Sequence, residues 1–351
     1  MKVCILGEGL TSLTLAKNLA NLGISVEIVS DKKNIKNKTR TIGISKSNVE
    51  FLNKEIFDIN KFLWKVNKIE IFTENLKENK VLEFENSKNY LFALFKNDEV
   101  LEYLFSILKK NKFVKFKKKL EIKNYELIIN CQKNTPLSKK FFFNKLKKNY
   151  KSLAYTTIIK HKKLIKNDVA IQVFTERGPL AFLPLSSKET SIVFSARGTD
   201  DVNLRYWIEK YGKKYALTKV DKIEKFEIKS NNLRIYYHKN ILAFGDLLHQ
   251  IHPLAGQGFN MTLRDIKVLT ELIQQRISNG LDLNSSVCSD FQKEIKHKNY
   301  LFSSGVDFIY EFFNFERRFK NQLLSNSIKF LGKNKIFNRT IKKFADIGMT
   351  I

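Results

Sequence analysis

The sequence predicts an α/β protein in which a Rossmann-like domain with a parallel sheet carries an inserted antiparallel β-sheet domain and ends in a helical C-terminus. Three observations point there. The chain opens with an apolar run (3–6), a Gly7-Glu8-Gly9 turn, a helical pattern (10–22) and a second apolar run (24–29), the order of a βαβ unit. From 153 to 196 the apolar period changes to two, in LAYTTIIKH, VAIQVFTERG, PLAFLPL and TSIVFSA, which predicts antiparallel strands joined by turns. Past Gln257 the pattern is mostly helical, with aromatic-rich amphipathic stretches at 300–319 and 328–347.

The remaining elements follow in order. KIEIF, VLEF and YLFALF, within 68–95, read as short strands, and 98–109 as a helix with Leu101, Leu104, Phe105 and Leu108 on one face. YELIINC returns as a buried strand. Asp200 or Asp201 is expected to cap a helix over 200–215, after which KFEIK, LRIYYH and ILAFGD lead back into strands and 260–275 forms a helix. These readings place the Rossmann-like domain at 1–65, 97–150 and 240–280. The inserted domain takes 66–96 and 151–239, and the helical region takes 281–351.

A length of 351 residues suggests about two domains, and a hydrophobic share of 43% suggests a folded chain. The 63 basic and 35 acidic residues leave a formal charge of +28. Most of that excess is Lys spread among Asn, Ile and Phe, the pattern of a compositional bias filling solvated positions. A diffuse basic surface still attracts an anionic membrane. No zinc knuckle, helix-turn-helix or aromatic RNA-binding pattern accompanies the charge, so no specific nucleic-acid partner is expected. Cys4, Cys131 and Cys288 stand far apart, which argues against a metal site or disulfide framework and for a reducing compartment. MKVCILGEG reads as a strand and not a signal peptide, and no apolar run reaches the roughly 20 residues that a membrane-spanning helix requires. The expected location is cytoplasmic, peripheral to the inner face of the membrane.

Two glycine clusters carry the chemistry. GEGLTS at 7–12 follows a strand and opens a helix, the context of a dinucleotide fingerprint. Gly7 allows the tight turn, Gly9 the close approach of a pyrophosphate, and Ser12 replaces the third glycine with another small residue. The helix start offers unpaired N–H groups to the anion. An acidic residue ending the second strand holds the ribose in such sites; Ser30 and Asp31 occupy that place, and either serves. The second cluster is GDLLHQIHPLAGQGFN at 245–260. Gly245 permits close backbone approach, and Asp246 presents a carboxylate to sugar hydroxyls. Pro253 fixes the chain ahead of Gly256, Gln257, Gly258, Phe259 and Asn260, whose bare N–H groups at a helix mouth stabilise negative charge.

Together these stretches resemble the ubiquinone-biosynthesis hydroxylase family of FAD-dependent (group A) aromatic monooxygenases. The resemblance rests on GEGLTSLTLAKNLANLGISVEIV, RTIGIS at 40–45, FTERGPLAFLPL at 174–185 and GDLLHQIHPLAGQGFNMTLRD at 245–265, which occur in the family's order across most of the chain. It implies a fold of the para-hydroxybenzoate hydroxylase type, with FAD as cofactor. Gly7, Gly9 and Ser12 would lie at the pyrophosphate, with Arg40 reaching the cofactor from the loop after the second strand. Asp246 would lie at the ribityl or phosphate region, and Pro253 and the 256–260 backbone at the flavin ring. The implied activity is hydroxylation of the ring of a polyprenylated phenol by molecular oxygen, through a flavin C4a-hydroperoxide. The electron donor would be NAD(P)H or a redox partner protein, and other ubiquinone-biosynthesis proteins are implied partners.

Flavin-borne chemistry asks for no catalytic triad, and the sequence shows none; His161, His249 and His252 are the weak candidates for proton transfer. The chain also departs from the family. Its usual Ala-Asp-Gly motif is replaced by Asn130, Cys131, Gln132 and Lys133, the paired alanines after Asp246 are Leu247 and Leu248, and a helix glycine is Thr262. These departures leave open a catalytically impaired flavoprotein or scaffold of the same fold, and a prenyl-chain reductase is a further alternative.

Overall fold

A computed structural model of the chain describes residues 1–30, 39–74, 80–86, 89–122, 125–198, 200–253, 256–318 and 346. Its organising element is a six-stranded sheet in the order Tyr237–His238, Ile241–Ala243, Leu127–Asn130, Lys2–Leu6, Ser25–Val29, Val114–Lys117. Lys2–Leu6 is paired in parallel on both sides, with Ser25–Val29 and Leu127–Asn130. Val3, Cys4, Ile5, Leu127, Ile128 and Ile129 are fully buried, the unbroken apolar run of a parallel strand covered on both faces. The first helix, Leu10–Asn21, lays Leu13, Leu15, Ala16 and Leu19 into the same core.

A nine-stranded sheet holds the period-two segments. Its order is His249–Gln250, Glu224–Leu233, Lys145–His161, Glu189–Arg197, Gly178–Pro184, Val169–Thr175, Lys68–Thr73, Lys80–Glu85, and Leu217–Val220 pairs with Lys145–His161 outside that path. All its pairings are antiparallel except that of Val169–Thr175 with Lys68–Thr73. The motif at 241–260 therefore joins the two sheets, with Ile241–Ala243 in the parallel one and His249–Gln250 at the edge of the other.

Three local expectations change. Phe92–Lys96, read with the neighbouring short strands, pairs instead with Thr41–Ser45 and Trp64–Val66 in a separate three-stranded sheet. Ala93, Leu94 and Phe95 are all buried there, so its apolar run reflects cover on both faces. The helix expected over 200–215 is Leu204–Tyr211, capped by the Asn203 side chain, which accepts from the Tyr206 N–H. Asp201, one of the expected caps, is drawn to Lys225 at 2.7 Å. The helix expected over 260–275 runs from Gln257 to Ser278.

The helix Ser285–Arg318 packs Val287, Cys288, Phe291 and Ile295 on the core, and its C-terminal half meets the antiparallel sheet, where Phe313 stacks on Phe174 at 3.6 Å between ring centroids. The predicted amphipathic stretch 328–347 lies outside the described residues apart from Asp346.

Candidate functional site

The first glycine turn forms where Lys2–Leu6 ends. Gly7 adopts φ +117°, and a Cβ there would stand 3.0 Å from Ser12 Oγ and 3.3 Å from Gln132 Cγ, so only glycine fits. Its N–H donates to Val29 O at 2.9 Å, closing the turn over the second strand. Ser12 is buried beneath it. Gly9 is different: it is exposed, and among the described residues it caps the first helix with no side-chain bond and has no atom within 4 Å of where a Cβ would lie. Among the described residues, no side chain caps the first N–H groups of this helix. Ser30 follows the second strand and donates its N–H to Lys117 O at 3.3 Å; Asp31 lies outside the described residues.

The second cluster abuts the first. Gly245, at φ +58°, lies so close to Thr11 of the first helix that a Cβ would approach Thr11 Cγ2 to 2.8 Å. The next residue, Asp246, keeps 58% of its side-chain surface exposed and pairs with Lys133 Nζ at 3.2 Å. Partial desolvation acts to raise its pKa despite that exposure, but Lys133 and Arg40 outweigh it and hold the carboxyl below its ordinary value. Arg40 is therefore brought to the same place from the loop ahead of Thr41–Ser45.

Half-buried Pro253 precedes Gly256, which takes a left-handed conformation and caps Gln257–Ser278 without a side-chain bond. Gly258 is exposed, with none of the described residues within 4 Å of its Cβ position. Phe259 meets Phe95 edge-on at 6.3 Å, and the buried Gln257 Oε1 has no hydrogen-bond partner among the described residues. Asn260 is committed to structure: its Nδ2 donates to Gly43 O at 2.9 Å, and its Oδ1 accepts from Ser45 N at 2.8 Å and Asn48 Nδ2 at 2.9 Å. Those bonds hold the RTIGIS strand against the helix mouth.

The three histidines separate. His161 lies buried in the antiparallel sheet, its ring nitrogens 2.9 Å from Lys162 O and 3.0 Å from Thr190 Oγ1. His249 bonds Asp265 through Nε2, and Asp265 also accepts from Asn299 Nδ2 at 3.0 Å, so this buried pair fastens the motif to both C-terminal helices. His252 is wholly buried between Tyr150 and Tyr310, with ring centroids at 4.8 and 4.2 Å. Burial, reinforced by Lys148, pushes its pKa down to about 3, and Glu311 opposes this. All three sit in packed surroundings. Arg264 spreads over the Phe302 ring at 4.3 Å.

The arrangement fits a dinucleotide. The start of the first helix, which has no side-chain cap among the described residues, meets the head of the second cluster at the Gly245–Thr11 contact, next to Asp246, and the start of Gln257–Ser278 lies against the RTIGIS strand, where a Cβ on Gly256 would stand 3.5 Å from Gly43 N. Sequence reasoning missed Thr11, Gly43 and Gln250 as neighbours of the site, and read Lys133 only as a departure. No local signal marks them, because each contact spans different elements.

The fold is that of the FAD-dependent monooxygenases. It superposes on p-nitrophenol 4-monooxygenase PnpA from Pseudomonas putida with a TM-score of 0.80, at 14% identity, over 99% of this chain and 98% of that one. It superposes on PqsL from Pseudomonas aeruginosa, "a probable FAD-dependent monooxygenase", with a TM-score of 0.71 at 12% identity, over 93% and 99%. In sequence the chain is similar to the ubiquinone biosynthesis monooxygenase COQ6 of Danio rerio, 25% identical over 46% of this chain and 43% of the relative, and of Homo sapiens, 27% identical over 46% and 44%. It is also similar to 3-demethoxyubiquinol 3-hydroxylase of Escherichia coli, 29% identical over 42% of this chain and 40% of the relative. These are the hydroxylases that the motifs resemble. The matched stretches span less than half the length of these curated relatives, and no protein-family model matches the chain.

Proposed function

We propose that the protein is an FAD-dependent monooxygenase that hydroxylates the ring of a polyprenylated phenol in ubiquinone biosynthesis. The observation that carries this reading is the contact of the two glycine clusters at Gly245 and Thr11, with Asp246 next in the chain. Gly7, Gly9 and Ser12 would admit the pyrophosphate, with Ser30 at the ribose and Arg40 and Asp246 at the phosphate and ribityl region. Pro253 and the 256–260 backbone would face the ring system. When bound, FAD supplies the activation of oxygen and its transfer to the substrate ring.

The chain's own part is to bind, orient and keep dry. The uncapped start of Gln257–Ser278 stabilises negative charge at the ring system. The bonds from Asn260 to Gly43, Ser45 and Asn48 keep that start rigid. Ile251 and Met261, on either side of it, belong to an apolar cluster with Phe174, Phe302 and Phe313 that shields this end of the motif from water. We assign 1–65, 97–150 and 240–280 to FAD binding, 66–96 and 151–239 to the substrate side, and 281–351 to the helical region. NAD(P)H or a redox protein supplies the electrons.

A membrane surface is the natural source of so apolar a substrate. The outer face of Ser285–Arg318 leaves Leu301, Phe308 and Phe315 exposed at 39%, 69% and 54%. Beside its N-terminal half an open pocket of about 460 Å³ is lined by Leu146, Leu233, Tyr236 and Tyr300 together with Arg234, Lys293 and Lys296, whose charges are suited to anionic headgroups. No helix of the described residues is long and apolar enough to cross a membrane.

The test is the visible spectrum of the gently purified protein, with FAD added back, followed by oxygen-dependent conversion of a polyprenylated phenol with NAD(P)H. Bound flavin together with hydroxylated product supports the reading. Bound flavin with no product favours the catalytically impaired flavoprotein, for which the altered 130–133 segment speaks.

A further inference from the structure

We propose that Lys133 is the ligand of the cofactor's diphosphate in this chain, and that its ion pair with Asp246 is the resting arrangement, which opens when the dinucleotide binds. The inference rests on the flavoprotein reading and concerns a residue type that the resemblance does not provide, since Lys133 stands in the segment that replaces the Asp-Gly motif.

The geometry carries it. Lys133 follows the parallel strand Leu127–Asn130, and its Nζ lies 3.2 Å from Asp246 Oδ2 and 3.0 Å from Gln250 Oε1. It thereby bridges the parallel sheet to the edge strand of the antiparallel one. Gln132, its neighbour, packs over Gly7, so the segment lies directly on the fingerprint turn. Lys145 stands close by, half-buried and with no ion pair among the described residues. Burial pushes its pKa down, and repulsion from Lys133 and Lys147 adds to this. Arg40 bears on Asp246 as well. Lys133 and Arg40 thus both act on the carboxylate of Asp246, and Lys145 adds positive charge next to Lys133.

A dianionic diphosphate is the kind of group that such basic side chains bind. When Asp246 turns to the sugar hydroxyls it releases Lys133, whose flexible four-carbon stem lets Nζ swing to a phosphate oxygen without backbone movement. The lysine then supplies as a point charge what the resemblance implies is otherwise arranged by an Asp-Gly turn.

The experiment is titration of FAD, followed by flavin fluorescence, into the wild type, Lys133→Met and Lys133→Gly at several salt concentrations, with riboflavin as a ligand lacking phosphate. Loss of one charge-assisted contact should weaken FAD binding by Lys133→Met about tenfold. The salt dependence of that binding should flatten, and any binding of riboflavin should stay unchanged. Melting of the apoprotein should also be unchanged, because the Lys133–Asp246 pair is partly exposed, at 32% and 58%. Equal FAD affinity and salt dependence in wild type and Lys133→Met would overturn the assignment while leaving the flavoprotein reading intact. So would tighter binding by Lys133→Gly, which would make the lysine a plug. Failure of the wild type to bind FAD at any salt concentration would overturn the flavoprotein reading itself.

Discussion

Gly7 and Gly9 belong to one motif, yet the structure sets them opposite tasks, and substituting each in turn separates them. Gly9 has φ −77° and ψ 173°, extended backbone open to any residue, and none of the described residues lies within 4 Å of its Cβ position. Gly9→Trp therefore costs the apoprotein only the difference between cap residues, at most about 1 kcal/mol. The indole fills the space at the helix start, and FAD affinity should fall at least a hundredfold, about 2.7 kcal/mol. Gly7→Ala reverses the pattern. At φ +117°, with Ser12 Oγ at 3.0 Å and Gln132 Cγ at 3.3 Å, a methyl group forces the backbone out of a conformation that essentially only glycine adopts. Its cost in apoprotein stability should be about 1–3 kcal/mol. Urea denaturation of both apoproteins and an FAD fluorescence titration give the four numbers required. The reasoning fails if Gly9→Trp binds FAD like the wild type, or if it unfolds the apoprotein while Gly7→Ala does not.

Three further outcomes follow from the same structure. Asp265→Ala strands His249 and Asn299 in the core and should destabilise the protein by about 3 kcal/mol or more, read from the urea midpoint. His252, held neutral to about pH 3 when folded against an ordinary value of 6.5, binds its proton more readily in the unfolded chain. Its contribution is therefore present above pH 6.5 and is lost as pH falls through the window below it. The wild type should lose about 2 kcal/mol more than His252→Phe by pH 5, and equal acid profiles would contradict that assignment. Phe308→Ser, at an exposed ring, should lower binding to anionic phosphatidylglycerol vesicles about tenfold without changing the melting temperature; unchanged co-sedimentation would remove this face from the membrane reading.

The local grammar of the fold was legible in the sequence. The βαβ opening, the period-two block and the helical end each follow from spacings of apolar residues that one element imposes on itself, and the glycine turns from conformations that other residues avoid. Where two local signals competed, the sequence misled: Asp200 and Asp201 read as good helix caps, yet the helix starts at Leu204 with Asn203 as its cap, and Asp201 pairs with Lys225, distant in the chain. Phe92–Lys96 looked like its neighbours and joined another sheet, because a run buried on both faces carries no record of its partners.

By itself, then, the sequence determined the class of fold, the two glycine clusters and the family they resemble, since each is written in spacings within single elements and turns, as the fingerprint is. Only the tertiary structure decided that those clusters meet at Thr11 and Gly245. It also decided that Asn260 is spent on the RTIGIS strand, that the three histidines lie in packed surroundings, and that Lys133 closes on Asp246. The physical reason is the same in each case: an ion pair or a backbone approach of about 3 Å depends on where two elements are packed, and packing is settled by the whole core rather than by the residues that come to touch.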